Sequence, residues 1–136
     1  MSEDRVFLDT NVLVYAYSET EPRKRDIARE LKDRTPCCIS TQVVNEFIVV
    51  MTKKVGIPVD DIRAIVQRIY RTIPVLETGQ TVILRALDLA RITGYVHWDA
   101  LILAAAIEAG SPTLCSEDLQ DGRVVDGVRI MNPFKE

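Results

Sequence analysis

Histidine is almost missing from this 136-residue chain: His97 is the single copy. That leaves little room for a metal site built on imidazoles, the usual choice for zinc. The three cysteines, Cys37, Cys38 and Cys115, cannot pair completely and form no Cys-x-x-Cys, so neither a zinc ribbon nor a dithiol redox motif is expected. Cys37 and Cys38 lie in an apolar stretch and read as small buried side chains in a reducing compartment. No apolar run reaches the roughly 18 to 20 residues of a membrane span. The start, Met1-Ser2-Glu3-Asp4-Arg5, has no basic and apolar leader pattern. Basic charge is also short: 17 Lys and Arg against 20 Asp and Glu give a net charge of −3 and a pI near 5.2. That balance argues against a protein that coats nucleic acid, though not against an enzyme acting on phosphates. Gly-x-x-x-x-Gly-Lys and Gly-x-Gly-x-x-Gly are both missing, which removes the common nucleotide-binding readings. Repeats, low-complexity tracts and linkers are missing too. The expectation is a soluble, cytoplasmic protein with no membrane partner.

What is present suits one domain over residues 1–136, with 47% hydrophobic and 27% charged residues. Short apolar runs predict strands at Arg5–Leu8, Cys37–Ser40, Val75–Leu76, Thr113–Cys115 and Val128–Met131. Helices are predicted over Val12–Tyr17, Pro22–Arg34 and Thr41–Val55, the last stopped by Gly56. A further helix carries the stripe Ile62, Ile65, Val66, Ile69 and Ile73. Another lies between Gly79 and Gly94 and carries Ile83, Ala86, Leu87 and Ala90. Trp98–Ala109 is almost wholly apolar and should be a central, buried helix. Strands alternating with helices point to an α/β sandwich with a mainly parallel sheet.

Against this pattern the placement of acids stands out. Asp9 sits in Phe7-Leu8-Asp9-Thr10-Asn11-Val12, Glu46 in Val43-Val44-Asn45-Glu46-Phe47-Ile48, and Asp99 in Val96-His97-Trp98-Asp99-Ala100-Leu101. Each is a charge in a run that otherwise favours the interior. Buried carboxylates are costly unless paired, hydrogen-bonded or bound to metal. Asp118 follows the strand Thr113–Cys115. Taken singly, each has an ordinary explanation: a helix cap for Asp9, a favourable helix start for Asp99, a distant arginine for Glu46, a turn for Asp118. Taken together, Asp9 and Asp118 fall past the carboxyl ends of predicted parallel strands, and Asp99 opens a helix leading into one. That edge is where open α/β sheets bind ligands. Converging carboxylates call for a divalent cation, and an all-oxygen set suits Mg²⁺ or Mn²⁺. Such a site favours phosphoester hydrolysis.

The motifs Leu8-Asp9-Thr10-Asn11-Val12-Leu13, Asn45-Glu46-Phe47, His97-Trp98-Asp99-Ala100-Leu101-Ile102 with Ala104-Ala105-Ala106, and Ser116-Glu117-Asp118-Leu119-Gln120 occur in this order along nearly the whole chain. In this the chain resembles the PIN domain, most closely the VapC-like ribonuclease toxins of type II toxin–antitoxin pairs. The resemblance implies a Rossmann-like three-layer α/β/α sandwich and a Mg²⁺- or Mn²⁺-dependent endoribonuclease. It implies metal-binding acids at Asp9, Glu46, Asp99 and Asp118, supported by Thr10, Asn11 and Ser116. It further implies a homodimer, an RNA substrate and a VapB-like antitoxin partner. A PIN-type RNA-processing or RNA-binding protein with no toxin role is the alternative.

Other classes fit less well. An Asp-nucleophile phosphatase would want Asp-x-Asp, where this chain has Asp9-Thr10-Asn11. A receiver-like domain would want an acidic pair after the first strand and a lysine after a late one, where this chain has Ser116-Glu117-Asp118. His97 as a catalytic acid, Trp98 as a base-stacking residue, and Glu117 or Asp121 as additional acids each have a plainer reading: packing, a core anchor, solvated loop. Arg23, Lys24 and Arg25, and Arg63, Arg68 and Arg71, are candidates for phosphate contacts, while a solvated helix face explains them as well.

Overall fold

The computed structural model describes residues 5–136; the sequence reading of Met1 to Asp4 lies outside the described residues. Six strands, β1 (Val6–Leu8), β2 (Cys37–Ser40), β3 (Val75–Leu76), β4 (Thr113–Cys115), β5 (Val124–Val125) and β6 (Val128–Met131), form one sheet in the order β3-β2-β1-β4-β6-β5. Every pairing is parallel except β5 with β6. The interior strands are mainly apolar: Phe7, Leu8, Ile39, Leu114, Cys115 and Ile130 are all buried, while Arg129 of β6 is exposed. Strands covered on both faces need this continuous apolar character rather than alternation.

The helices are α1 (Thr10–Tyr15), α2 (Pro22–Arg34), α3 (Thr41–Val49), α4 (Val59–Thr72), α5 (Gln80–Thr93) and α6 (His97–Glu108). They gather in two groups, α1 with α2 and α3, and α5 with α6, and α6 crosses both β2 and β4. The α/β sandwich with a mainly parallel sheet is thus observed. α6 is the buried helix expected from its composition: Ala100 to Ala106 are all buried, and its small alanines permit close approach to the sheet. On α4 the apolar stripe also holds, with Ile62 and Ile69 buried and Arg63, Gln67 and Arg71 exposed.

Four expectations need correction. The helix over Thr41–Val55 is α3 followed by a π-helical segment, Val50–Val55, ended by Gly56 at φ 84°. The wider i→i+5 winding lasts only six residues at the helix end, too short a stretch for an apolar pattern to register. On α5 the buried side is Val82, Ala86 and Leu89, while Ile83 and Leu87 face outward. Trp98 is not a core anchor: it is 62% exposed, because it stands in the first turn of α6, where continuous burial begins only at Ala100. Finally, β5 was not expected from the sequence. Its signal was Asp126-Gly127, both at positive φ (48° and 82°), the pair that closes a tight hairpin onto β6.

β1 pairs with β2 on one side and β4 on the other. The chain runs outward to β2 and β3 in one direction and to β4 and β6 in the other. A crevice therefore opens past the carboxyl ends of β1 and β4, the topological switch point of such sheets.

Candidate active site

Asp9 is the first residue after β1, and its backbone N–H donates to the carbonyl of Cys115 at the end of β4 (2.9 Å). That bond holds the two strand ends together, so Asp9 and the Ser116–Asp118 segment share one edge. Asp9 also caps α1: Oδ1 accepts the backbone N–H of Thr10 at 2.7 Å, and Oδ2 accepts the Ser116 hydroxyl at 2.8 Å. Ser116 in turn accepts the backbone N–H groups of Asp118 (3.1 Å) and Leu119 (3.3 Å), fixing the turn that presents Asp118.

Each of the other two supporting residues also touches an acid. The Thr10 hydroxyl donates to Glu46 Oε1 at 2.6 Å, and Asn11 Nδ2 donates to Asp118 Oδ2 at 3.1 Å. Asn11 Oδ1 accepts the Glu117 N–H at 3.2 Å, tying α1 to the loop after β4. Gln42 was not singled out from sequence. Its Nε2 donates to Glu46 Oε2 (3.3 Å) and to the Trp98 carbonyl (3.1 Å), so it joins α3 to the start of α6, one residue from Asp99. A glutamine among helical valines carries no local signal for such a role; the partner lies 56 positions away.

The four acids differ in burial. Asp9 is buried, Glu46 and Asp99 are half-buried, and Asp118 is exposed at the rim. Burial pushes the Asp9 carboxyl up to about 6; the bonds from Ser116 and Thr10 oppose this, and the charges of Glu46 and Asp118 add to it. Asp99 is raised as well, chiefly by burial and then by Asp118 and Glu46. The acids thus sense one another's charge. Among the described residues none of the four is in an ion pair.

A cleft of about 1060 Å³ opens beside them. Thr10, Asn11, Glu46 and Asp118 line it, with Gln42, Trp98, Thr78 and Lys54 on its wall. Asp9 and Asp99 are not among the lining residues. Among the described residues, no three acidic, histidine or cysteine side chains stand together at metal-holding distance. The arrangement is a group of like charges sharing a cleft, not an assembled ligand set. By donor chemistry it still fits a hard divalent cation: all-carboxylate oxygens, mutual charge repulsion, and, among the described residues, no lysine or arginine paired with them.

Other candidates lie elsewhere. Glu117 pairs with Lys24 and accepts the Tyr15 hydroxyl (2.8 Å), which lowers its carboxyl against the opposing effect of burial. Asp121 accepts the Asn132 N–H (2.8 Å) and pairs with Lys135 (3.1 Å). Arg23 reaches the Phe134 carbonyl (2.7 Å) and Arg25 pairs with Asp26 (3.2 Å), so the α2 cations are engaged locally. His97 packs edge-on to Trp98 with ring centres 5.3 Å apart and does not line the cleft.

A mainly parallel sheet with carboxylates collected past its switch point defines an α/β protein with a polar crevice at its strand ends. The PIN domain family matches residues 6–124, and the chain belongs to that family. Comparison with curated proteins finds no match. Among solved structures, a toxin–antitoxin complex from Klebsiella pneumoniae is similar at TM-score 0.70 and 19% identity, covering 94% of this chain and 97% of that one. DNA-bound VapBC from Salmonella typhimurium aligns at TM-score 0.66 and 21% identity, covering 95% and 98%. VapC20 of Mycobacterium tuberculosis, a toxin that cleaves the sarcin–ricin loop, aligns at TM-score 0.65 and 19% identity, covering 80% and 86%. These likenesses establish a shared fold.

Proposed function

We propose that this protein is a divalent-metal-dependent endoribonuclease, the toxin of a toxin–antitoxin pair, with residues 1–136 acting as one nuclease domain. The observation that carries the reading is the set Asp9, Glu46, Asp99 and Asp118 at one sheet edge, unpaired with any cation among the described residues, in a chain of the PIN family. Those four would hold Mg²⁺ or Mn²⁺. When bound, such an ion supplies a water of lowered pKa and offsets charge on the phosphate.

The chain's own residues provide orientation. Ser116 and the Thr10 N–H fix both oxygens of Asp9. Thr10 and Gln42 fix Glu46, one donor to each oxygen. Asn11 restrains Asp118 at the rim. Such second contacts set carboxylate direction, and their loss commonly costs tenfold or more in metal affinity or activity. Water as nucleophile requires no 2′-hydroxyl, so the products carry 5′-phosphate and 3′-hydroxyl ends.

A VapB-like antitoxin partner is part of the proposal, supported by likeness to solved toxin–antitoxin complexes. A homodimer in the cytoplasm is also part of it. The test is cleavage of structured RNA in Mg²⁺ or Mn²⁺ and in EDTA, with mapping of the ends. Cleavage should need the metal and be lost in Asp99→Asn. Activity that persists in EDTA, or 2′,3′-cyclic phosphate ends, would sink the proposal.

A further inference from the structure

One wall of the cleft is built for something other than a cation. Trp98 lines it with 62% of its surface exposed, an unusual cost for the chain's single tryptophan. Its ring is held on one edge by His97, and its carbonyl is fixed by Gln42, the residue that also grips Glu46. The backbone that carries the indole is therefore tied to a candidate catalytic acid through one side chain.

Gln42 adds a second observation. Its Nε2 faces two acceptors, Glu46 Oε2 and the Trp98 carbonyl, which fixes the amide orientation. Oε1 must then be the free acceptor. It is buried, in a residue only 8% exposed, and has no partner among the described residues. The Thr78 hydroxyl is buried and unpartnered among them too, and Thr78 lines the same cleft. Their segments are tied together: Thr41, beside Gln42, bonds the carbonyl of Leu76, two residues before Thr78 (3.3 Å). Buried polar atoms without partners are rare and call for an explanation, and a ligand's donor or acceptor is one. Lys54, on the same wall, is in no ion pair among the described residues.

We propose that this wall is a nucleobase subsite: Trp98 stacks a base of single-stranded RNA, Gln42 Oε1 accepts an N–H from that base, and Lys54 meets a neighbouring phosphate. An aromatic face, an acceptor and a cation match the three parts of a nucleotide. The proposal rests on the ribonuclease reading for its substrate, and gives the cleft a means to position RNA beside the acids. Trp98 is a positioning and specificity residue in it.

The test uses the intact chain and short single-stranded RNAs. In EDTA, Trp98 emission and the anisotropy of labelled RNA are followed together; in Mg²⁺, kcat and KM are measured. Binding should quench Trp98. Trp98→Leu should bind roughly tenfold more weakly and raise KM with kcat nearly kept, and Trp98→Phe should recover most of the loss. Oligomers of adenosine and cytidine should lose affinity, in at least one case, when the exocyclic amine is dimethylated; equal affinity in both pairs overturns the assignment to Gln42. Unchanged affinity and KM in Trp98→Leu, or steady emission while anisotropy reports bound RNA, overturns the subsite and leaves this wall to a protein partner. Cleavage with an unchanged KM in Trp98→Leu defeats the subsite alone. Trp98-dependent binding without cleavage supports the subsite and defeats the nuclease alone, and a chain that neither binds nor cuts RNA overturns both.

Discussion

At the residue scale, Asp9 holds two opposed roles. Its oxygens stitch α1 to the loop after β4, yet its charge is costly where it stands. The folded carboxyl titrates at about 6 against an ordinary 3.8, chiefly through burial. A raised carboxyl binds its proton more tightly folded than unfolded. The penalty is absent below pH 3.8, grows as pH rises toward 6, and is complete above it. From the shift alone it amounts to about 3 kcal/mol. Asn at this position removes the charge but cannot accept both bonds, a loss of about 1 kcal/mol. Asp9→Asn should therefore stabilise the metal-free protein by about 2 kcal/mol at neutral pH, with the gain disappearing near pH 4 or below. Urea unfolding in EDTA across that range measures it; an Asp9→Asn variant less stable than wild type at neutral pH defeats the argument. On the proposed metal-site reading, the same titration would govern Mn²⁺ binding. A ligand carboxyl must be ionised, so Mn²⁺ affinity by calorimetry should fall as pH drops through 6. Affinity flat from pH 8 to 5 would remove Asp9 from the ligand set.

At the element scale, α5 presents a face that its own fold does not use. Ile83, Leu84 and Leu87 are 41%, 52% and 53% exposed, while Val82, Ala86 and Leu89 are buried. A helix apolar on two sides is placed between two partners, and the proposed homodimer supplies the second. Leu87→Glu should shift the protein toward monomer in light scattering while circular dichroism stays unchanged. A wild type that is monomeric throughout removes this role for the face. The same helix marks where sequence reasoning stops. Apolar periodicity located α5, but both sides carry apolar residues, so it did not choose the inner one. α4, with a single stripe opposite arginines, was assigned correctly. The candidate site was legible for a related reason: Asp9, Glu46 and Asp99 interrupt apolar runs, and a charge there needs an explanation. Gln42 and the exposure of Trp98 were not legible. A neutral amide in an apolar helix gives no contrast, and an indole beside leucines and alanines takes its burial from where α6 overhangs the sheet, which only the assembled fold determines.

At the scale of the whole molecule, folding gathers repulsion into one place. The net charge is only −3. Among the described residues the ion pairs, from the part-buried Lys24–Glu117 to the exposed Lys135–Asp121, involve none of the four candidate acids. Those carboxylates are separated in the unfolded chain and brought near one another by the switch point between β1 and β4. If the cleft holds a divalent cation as proposed, the native state is the form that would gain most from it, and a ligand that binds that state alone stabilises it by mass action, by about 2.7 kcal/mol at a hundredfold excess over Kd. Mn²⁺ at constant ionic strength should raise the melting temperature in proportion to the logarithm of its concentration. Potassium chloride of equal ionic strength should do far less, since it screens without bridging. Asp99→Asn and Asp118→Asn, which remove half-buried and rim charges, should begin from a melting temperature equal to or above wild type in EDTA and lose the Mn²⁺ response. That reversal, stability gained without metal and forfeited with it, separates a cation site from acids kept for packing. Melting curves that move equally with Mn²⁺ in wild type and both variants would show that the cleft binds no ion through these groups.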